Sequence, residues 1–312
     1  MGKVKKTARE EGKQKHSTSQ LFNFSQGSYL ERTSRPIYAV VFLLPLIVFY
    51  ELGTFRFNTD VLNQSQERVV AFVWLQNLLE SLGYGGKLVW VAPPLAVVVI
   101  LLALQVTSRK QWRLWFGDIP PMAIECVLLA VPLIVLTLFL NSSAGPQDNA
   151  SRFDAAAMQT QSGSPGDDFS AAGNSMPAPA GQTGGNGADR PLLANIVTGI
   201  GAGIYEELVF RLILICLLML LFQDILRLTN TNSIILSVLI SASLFSAHHH
   251  IDFLSGQANA GDPFELTKFV FRTIAGIYFA ALFAIRGFGI TAGTHASYNI
   301  IAISITARFF QP

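Results

Sequence analysis

The stretch LLANIVTGIGAGIYEELVFRLILICLLMLLF, residues 192–222, carries Glu206, Glu207 and Arg211 inside an otherwise apolar run. A membrane-crossing helix needs about 20 mostly apolar residues, and this segment supplies them without a break. The rest of the chain has the same character. Of its 312 residues 51% are hydrophobic and only 13% charged, with a mean hydropathy of +0.42. A soluble domain carries about a quarter charged residues, so an ordinary water-soluble enzyme is excluded as the default. The composition predicts an all-α, polytopic transmembrane helix bundle. A formal net charge of +2 and the lack of an arginine-rich face speak against nucleic acid as a partner. Cys126 and Cys216 lie in apolar runs and show neither zinc spacing nor a disulfide framework.

Working outward, apolar runs predict spans at 37–52, 88–106, 122–140, 192–222, 233–249, 269–285 and 288–309. Residues 61–82 mix apolar and polar groups at helical spacing and read as an amphipathic helix lying on the membrane. The count is therefore about seven spans, or eight if 61–82 also crosses. Lys3, Lys5, Lys6, Arg9, Lys13, Lys15, Arg32 and Arg35 precede the first span and predict a cytoplasmic N-terminus in a cell (inner) membrane. Seven spans then place Arg109, Lys110, Arg113, Arg227 and Arg286 on that same side. The basic start is not followed by an apolar core and cleavage site, so no signal peptide is expected.

Four regions follow from this reading. Residues 1–35 form a basic disordered tail, and 36–141 an N-terminal membrane part of about three spans. Residues 142–191 contain no Leu, Ile or Val and are rich in Gly, Ala, Ser and Pro. Such a segment cannot bury enough apolar area to offset its ordering entropy, which predicts a disordered external loop. Residues 192–312 form a four-span C-terminal core.

Ionisable groups within membrane segments are costly and commonly functional. The core holds Glu206, Glu207 and Arg211, then His248, His249 and His250 at the end of a span, then His295 and Asn299 one helical turn apart. Glu207 and Arg211 at i,i+4 read as a structural pair, whereas Glu206 points about 100° away around the helix. The histidine tract could equally be an interfacial polar cap, and His295 a core histidine.

The strings EELVFR (206–211), FSAHH (245–249) and HASYN (295–299) resemble the motifs EExxxR, FxxxH and HxxxN, in that order. These mark the CPBP family of intramembrane proteases, which includes the type II CAAX prenyl endopeptidase and bacteriocin-immunity relatives. The resemblance covers about residues 192–310. It implies that Glu206 and His249 are catalytic, that His295 and Asn299 stabilise the oxyanion, and that Glu207 and Arg211 support the site. Leu212 stands where the family often has glycine.

The implied activity is endopeptidase hydrolysis of membrane-associated or lipidated substrates. A carboxylate shielded from water is a better base near neutral pH, and histidine and asparagine can donate to a developing oxyanion. No serine or cysteine stands out as a nucleophile. No cofactor is preferred, because HExxH is absent; zinc remains open, with Glu206, His249 and His295 as its ligands. Two other readings compete. One is a proton-coupled transporter, against which no internal repeat is visible. The other is a non-catalytic scaffold or immunity protein of the same fold. A geometrical tension accompanies the leading reading: in straight helices His249 sits near the outer end of its span and His295 nearer the inner end.

Overall fold

The computed structural model describes residues 24–25, 27–57, 70–81, 91–142, 192–251 and 264–309. Most of the expected tail, residues 143–191 of the expected 142–191 loop, and residues 61–69, 82 and 88–90 of the expected helices lie outside the described residues. Within them the chain is helical, with no strand. The elements are α1 (Tyr29–Thr33), α2 (Pro36–Phe57), α3 (Val70–Ser81), α4 (Ala92–Ser108), α5 (Ile119–Ser142), α6 (Leu192–Ile225), α7 (Asn230–Ala247), α8 (Leu266–Arg286) and α9 (Phe288–Phe309).

Local chemistry sets the ends. Ser28 caps α1 through the Glu31 amide, and Thr229 caps α7 through that of Asn232. Prolines open α4, and Arg109 in a left-handed conformation closes it. Gly287, at φ +77°, is the only residue between α8 and α9. That positive φ favours glycine, and it makes the expected tight turn real.

Five helices are long and apolar enough to cross a membrane: Pro36–Arg56, Phe116–Leu140, Leu192–Ile225, Asn230–Ala247 and Leu266–Arg286. The protein is thus a membrane-embedded helical bundle, and a count of seven spans goes beyond what these five establish. The two remaining helices of the seven expected have separate reasons. The described part of the second expected span, α4, has 17 residues, slightly short. α9 has 22 residues but is interrupted by Thr291, Thr294, His295, Asn299 and Thr306, all buried. It packs against α6, α5, α2 and α8, so its polar groups face protein rather than lipid. The described part of α3 has 12 residues, about 18 Å of helix. It packs on α4 and α6, with Ala71, Phe72 and Leu75 buried.

The segment expected as a disordered tail is folded from Ser28 onward. The Arg286 guanidinium donates to both Glu125 carboxylate oxygens at 2.5 and 2.8 Å, to the Leu30 carbonyl, and to the hydroxyls of Ser34 and Thr33. Arg32 makes a two-pronged bond with Asp118, at 2.9 Å for each prong. Arg35 pairs with Glu31 at 2.6 Å and holds that carboxyl below its ordinary value. Arg32 and Arg35 are therefore partly structural: Arg32 ties α1 to the start of α5, while Arg286 ties it to the end of α8.

Candidate active site

α6 and α9 meet through small residues. Gly199 and Gly203 are four apart, so they lie on one face of α6. A Cβ on Gly203 would fall 2.4 Å from the Ala296 backbone nitrogen, and one on Gly199 would fall 3.1 Å from Asn299 Cβ. Small residues at this spacing let two membrane helices approach backbone to backbone. One turn further along α6 come Glu206 and Glu207, and this close approach brings them to His295 and Asn299.

Directly after Glu207 the helix widens into a π-helical segment, Leu208–Leu214, a departure often found at functional sites. The Phe210 carbonyl accepts a hydrogen bond from Ser241 Oγ of α7 at 2.7 Å, which ties α7 to this segment. Past Ala247 the chain leaves α7 in a turn, with the amide of His248 on the Leu244 carbonyl and that of His250 on the Ala247 carbonyl. The histidine tract thus continues past the last residue of α7 as a hydrogen-bonded turn.

The groups that converge are almost fully buried. Glu206 is 1% exposed, Glu207, Arg211 and His295 are 0%, Asn299 1%, and His248 and His249 5% each. Glu207 Oε1 forms an ion pair with Arg211 Nη1 at 3.1 Å and accepts a hydrogen bond from His295 Nδ1 at 2.8 Å. The expected pair with Arg211 is present, and the same oxygen also holds a histidine. Arg211 lies over the Phe245 ring at 4.1 Å.

Tautomers follow from these partners. A carboxylate only accepts, so His295 Nδ1 carries hydrogen and, in the neutral ring, Nε2 presents a lone pair. His248 Nδ1 contacts the Phe245 carbonyl, which fixes its ring the same way. Glu206 lies between these two rings, with Oε1 3.8 Å from His248 Nε2 and Oε2 3.9 Å from His295 Nε2. Both separations exceed a direct hydrogen bond. Glu206 Oε2 and His295 Nε2 have no hydrogen-bond partner within the protein. Acceptors set around a gap of this size suit a bridging water or a cation.

Asn299 Nδ2 donates to the Gly199 carbonyl at 3.0 Å. That bond fixes the amide's orientation and leaves its second hydrogen for another acceptor. Aromatic rings wall the site: Phe279 stacks on His295 at 4.6 Å, Phe210 lies 4.8 Å from His248, and Phe245 5.6 Å from His249. His250 instead faces away toward Arg272, at 3.5 Å. Ser246 gives its hydroxyl to the Phe269 carbonyl at 2.8 Å, which is a structural use.

All six expected residues, Glu206, Glu207, Arg211, His249, His295 and Asn299, therefore lie in one buried region, and His248 joins them. For a metal, the ligand atoms of Glu206, His248 and His249 lie within 4.8 Å of one another, whereas the expected set had His295 in place of His248. A carboxylate and two imidazoles, with water in a fourth position, are a donor set suited to zinc. Sequence spacing missed Phe279 and Trp74, whose indole lies 5.7 Å from the His248 ring. Neither belongs to a motif.

Comparison with known proteins bears on this C-terminal part of the chain. Residues 188–301 match the family model described as type II CAAX prenyl endopeptidase Rce1-like. The match agrees with the resemblance of the three motifs, and every polar residue of the site lies within the matched residues. No curated protein and no solved structure matches the chain.

Proposed function

We propose that the protein is an intramembrane endopeptidase of the CAAX prenyl protease type, cleaving membrane-associated or lipidated peptides by water that Glu206 activates. The observation that carries this reading is the Glu206 carboxylate held between His248 Nε2 and His295 Nε2, at 3.8 and 3.9 Å, in a site closed to bulk solvent. Glu206 takes a proton from the water, whose oxygen attacks the scissile carbonyl. His295, carrying on Nε2 a proton taken up from solvent before attack and compensated by Glu207 through Nδ1, donates to the tetrahedral oxygen and keeps that proton when the intermediate collapses. The free amide hydrogen of Asn299 is the second donor. Glu206 returns its proton to the departing amine. His248 and His249 hold the water from the other side, and the 206–299 constellation needs no side-chain nucleophile. Peptide cleavage in detergent, compared between the wild type and Glu206→Gln, tests the reading.

The residues also fit a metal. Glu206, His248 and His249 would hold a zinc ion, which would supply a Lewis acid and a more acidic water. Glu206 and the Glu207–His295 pair nevertheless already provide a base and a charge-compensated imidazole. Exhaustive chelation is accordingly expected to leave turnover intact. Loss of turnover that zinc restores would assign the three donors to an ion.

The bundle implies a lipid bilayer around it, and the proposed orientation is the one its basic segments favour, with a cytoplasmic N-terminus. Single cysteines placed at Lys13 and Gly173, in a chain freed of Cys126 and Cys216, report on it. In intact cells an impermeant reagent is expected to label position 173 and not position 13. Labelling of both would overturn the orientation.

A further inference from the structure

Residues 109–118, RKQWRLWFGD, join α4 to α5. Side chains from neighbouring elements fix their backbone. Gln105 Nε2 donates to the Lys110 carbonyl at 3.0 Å, Arg35 Nη1 to the Gln111 carbonyl at 3.4 Å, and the Trp115 amide donates to Tyr38 Oη at 3.0 Å. Tyr38 in turn donates to Asp118 at 2.9 Å. On this fixed backbone Arg109, Trp112, Arg113, Trp115 and Phe116 are all exposed. Arg32 lies over the Trp115 ring at 5.9 Å, which helps to hold that ring in place.

The carboxylates of α1 and of the start of α5 are already taken. Asp118 pairs with Arg32, Glu31 with Arg35 and Glu125 with Arg286. Residues 109–117 contain no acid, and the guanidinium groups of Arg109 and Arg113 make no hydrogen bond or ion pair with a described residue. Two uncompensated charges therefore stand among three uncovered aromatic rings. Trp115 and Phe116 sit where the apolar span Phe116–Leu140 begins, which puts them at the headgroup level, where tryptophan is favoured. A soluble anion would satisfy the arginines and leave the rings in water. A lipid with an anionic headgroup answers both: its phosphate meets the guanidinium fork, and its glycerol and upper acyl region cover the rings.

We infer that the α4–α5 loop is a binding site for anionic phospholipid, with Arg109 and Arg113 on the headgroup and Trp112, Trp115 and Phe116 at the boundary with the acyl chains. The site lies outside the matched residues 188–301 and does not rest on the peptidase reading.

The test places the full chain in phosphatidylcholine nanodiscs that carry a small fraction of brominated lipid, either phosphatidylglycerol or phosphatidylcholine, and reads tryptophan fluorescence. Bromine quenches an indole only at close range, so the reading reports which lipid sits against the rings. Brominated phosphatidylglycerol is expected to quench more strongly, with an apparent association about fivefold higher for each of the two arginines, the scale of one basic side chain at an anionic surface. The double variant Arg109→Gln, Arg113→Gln brings the two lipids to parity. Arg109→Lys, Arg113→Lys keeps most of the preference, and added salt weakens it. Trp112→Phe, Trp115→Phe removes the excess as well, because the rings that report it are gone. Equal quenching by the two lipids in the wild type would overturn the inference and leave the loop to an acidic protein partner or to none. A preference that survives the glutamine variant, or the loss of Trp112 and Trp115, would place the anionic lipid elsewhere and overturn it too. Both leaflets of a nanodisc are alike and no turnover is read, so failure of this site is distinguishable from failure of the proposed orientation or of the peptidase reading.

Discussion

Glu206→Gln is expected to leave a well-folded protein whose peptide cleavage falls by about 10²-fold or more, the scale on which general-base catalysis contributes. The reason lies in how little the native fold depends on this carboxylate. Glu206 is 1% exposed, and its nearest charged or chargeable partners are the imidazoles of His248 and His295, at 3.8 and 3.9 Å. Neither distance is a hydrogen bond. A buried carboxylate without a close partner burdens the folded state. The amide of a glutamine has the same shape and can donate to one of the flanking Nε2 lone pairs. Melting temperature in detergent should hold or rise as turnover collapses. A Glu206→Gln protein that cleaves at the wild-type rate would show that water is activated elsewhere and would sink the proposed mechanism.

The chain's own residues explain which parts of this arrangement could be read in advance. EELVFR, FSAHH and HASYN announced themselves because charged and imidazole groups are conspicuous in apolar helices. Their convergence was less legible, because it rests on glycines. Gly199 and Gly203 put α6 against Ala296 and Asn299 of α9, and their four-residue spacing was a visible signal of close helix packing. The choice among His248, His249 and His250 was harder. Spacing from Phe245 points to His249 only while the helix continues, and α7 ends at Ala247. In the turn that follows, both His248 and His249 reach Glu206, while His250 goes to Arg272.

The span count met a similar limit. Hydropathy measures what a helix would present to lipid, whereas α9 presents most of its surface to four other helices. Its threonines, His295 and Asn299 lower the apolar character of a helix that is central to the bundle. The tail behaved in the opposite sense. Arg32 and Arg35 looked like solvated charge, but their partners Asp118 and Glu31 were separated from them by 86 residues in one case and one helical turn in the other. Only the second could have been inferred locally.

Glu207→Gln is expected to have the second large effect, and on two quantities at once. Its Oε1 pairs with the Arg211 charge at 3.1 Å and accepts a hydrogen bond from His295 at 2.8 Å, and all three side chains are 0% exposed. Removing the charge leaves the Arg211 guanidinium with the Phe245 face at 4.1 Å and the Gly276 carbonyl at 3.4 Å. Breaking a buried pair on one side typically costs about 3–5 kcal/mol, so thermal stability should fall well below that of Glu206→Gln. Adjacency to Arg211 in sequence suggested a stability role alone, with activity following the folded fraction. The bond to His295 adds to this, because an unanchored imidazole loses both its tautomer and the compensation of its charge. The double variant Glu207→Gln, Arg211→Met separates the two contributions. Taking out both charges removes the uncompensated guanidinium, and replacing a buried pair by apolar groups is often neutral for stability. Melting temperature should therefore recover toward the wild type. Turnover per folded molecule should not, since His295 still lacks its carboxylate. A double variant that regains stability and full turnover together would reduce Glu207 to a structural partner of Arg211 and leave His295 to be positioned by Phe279 stacking alone.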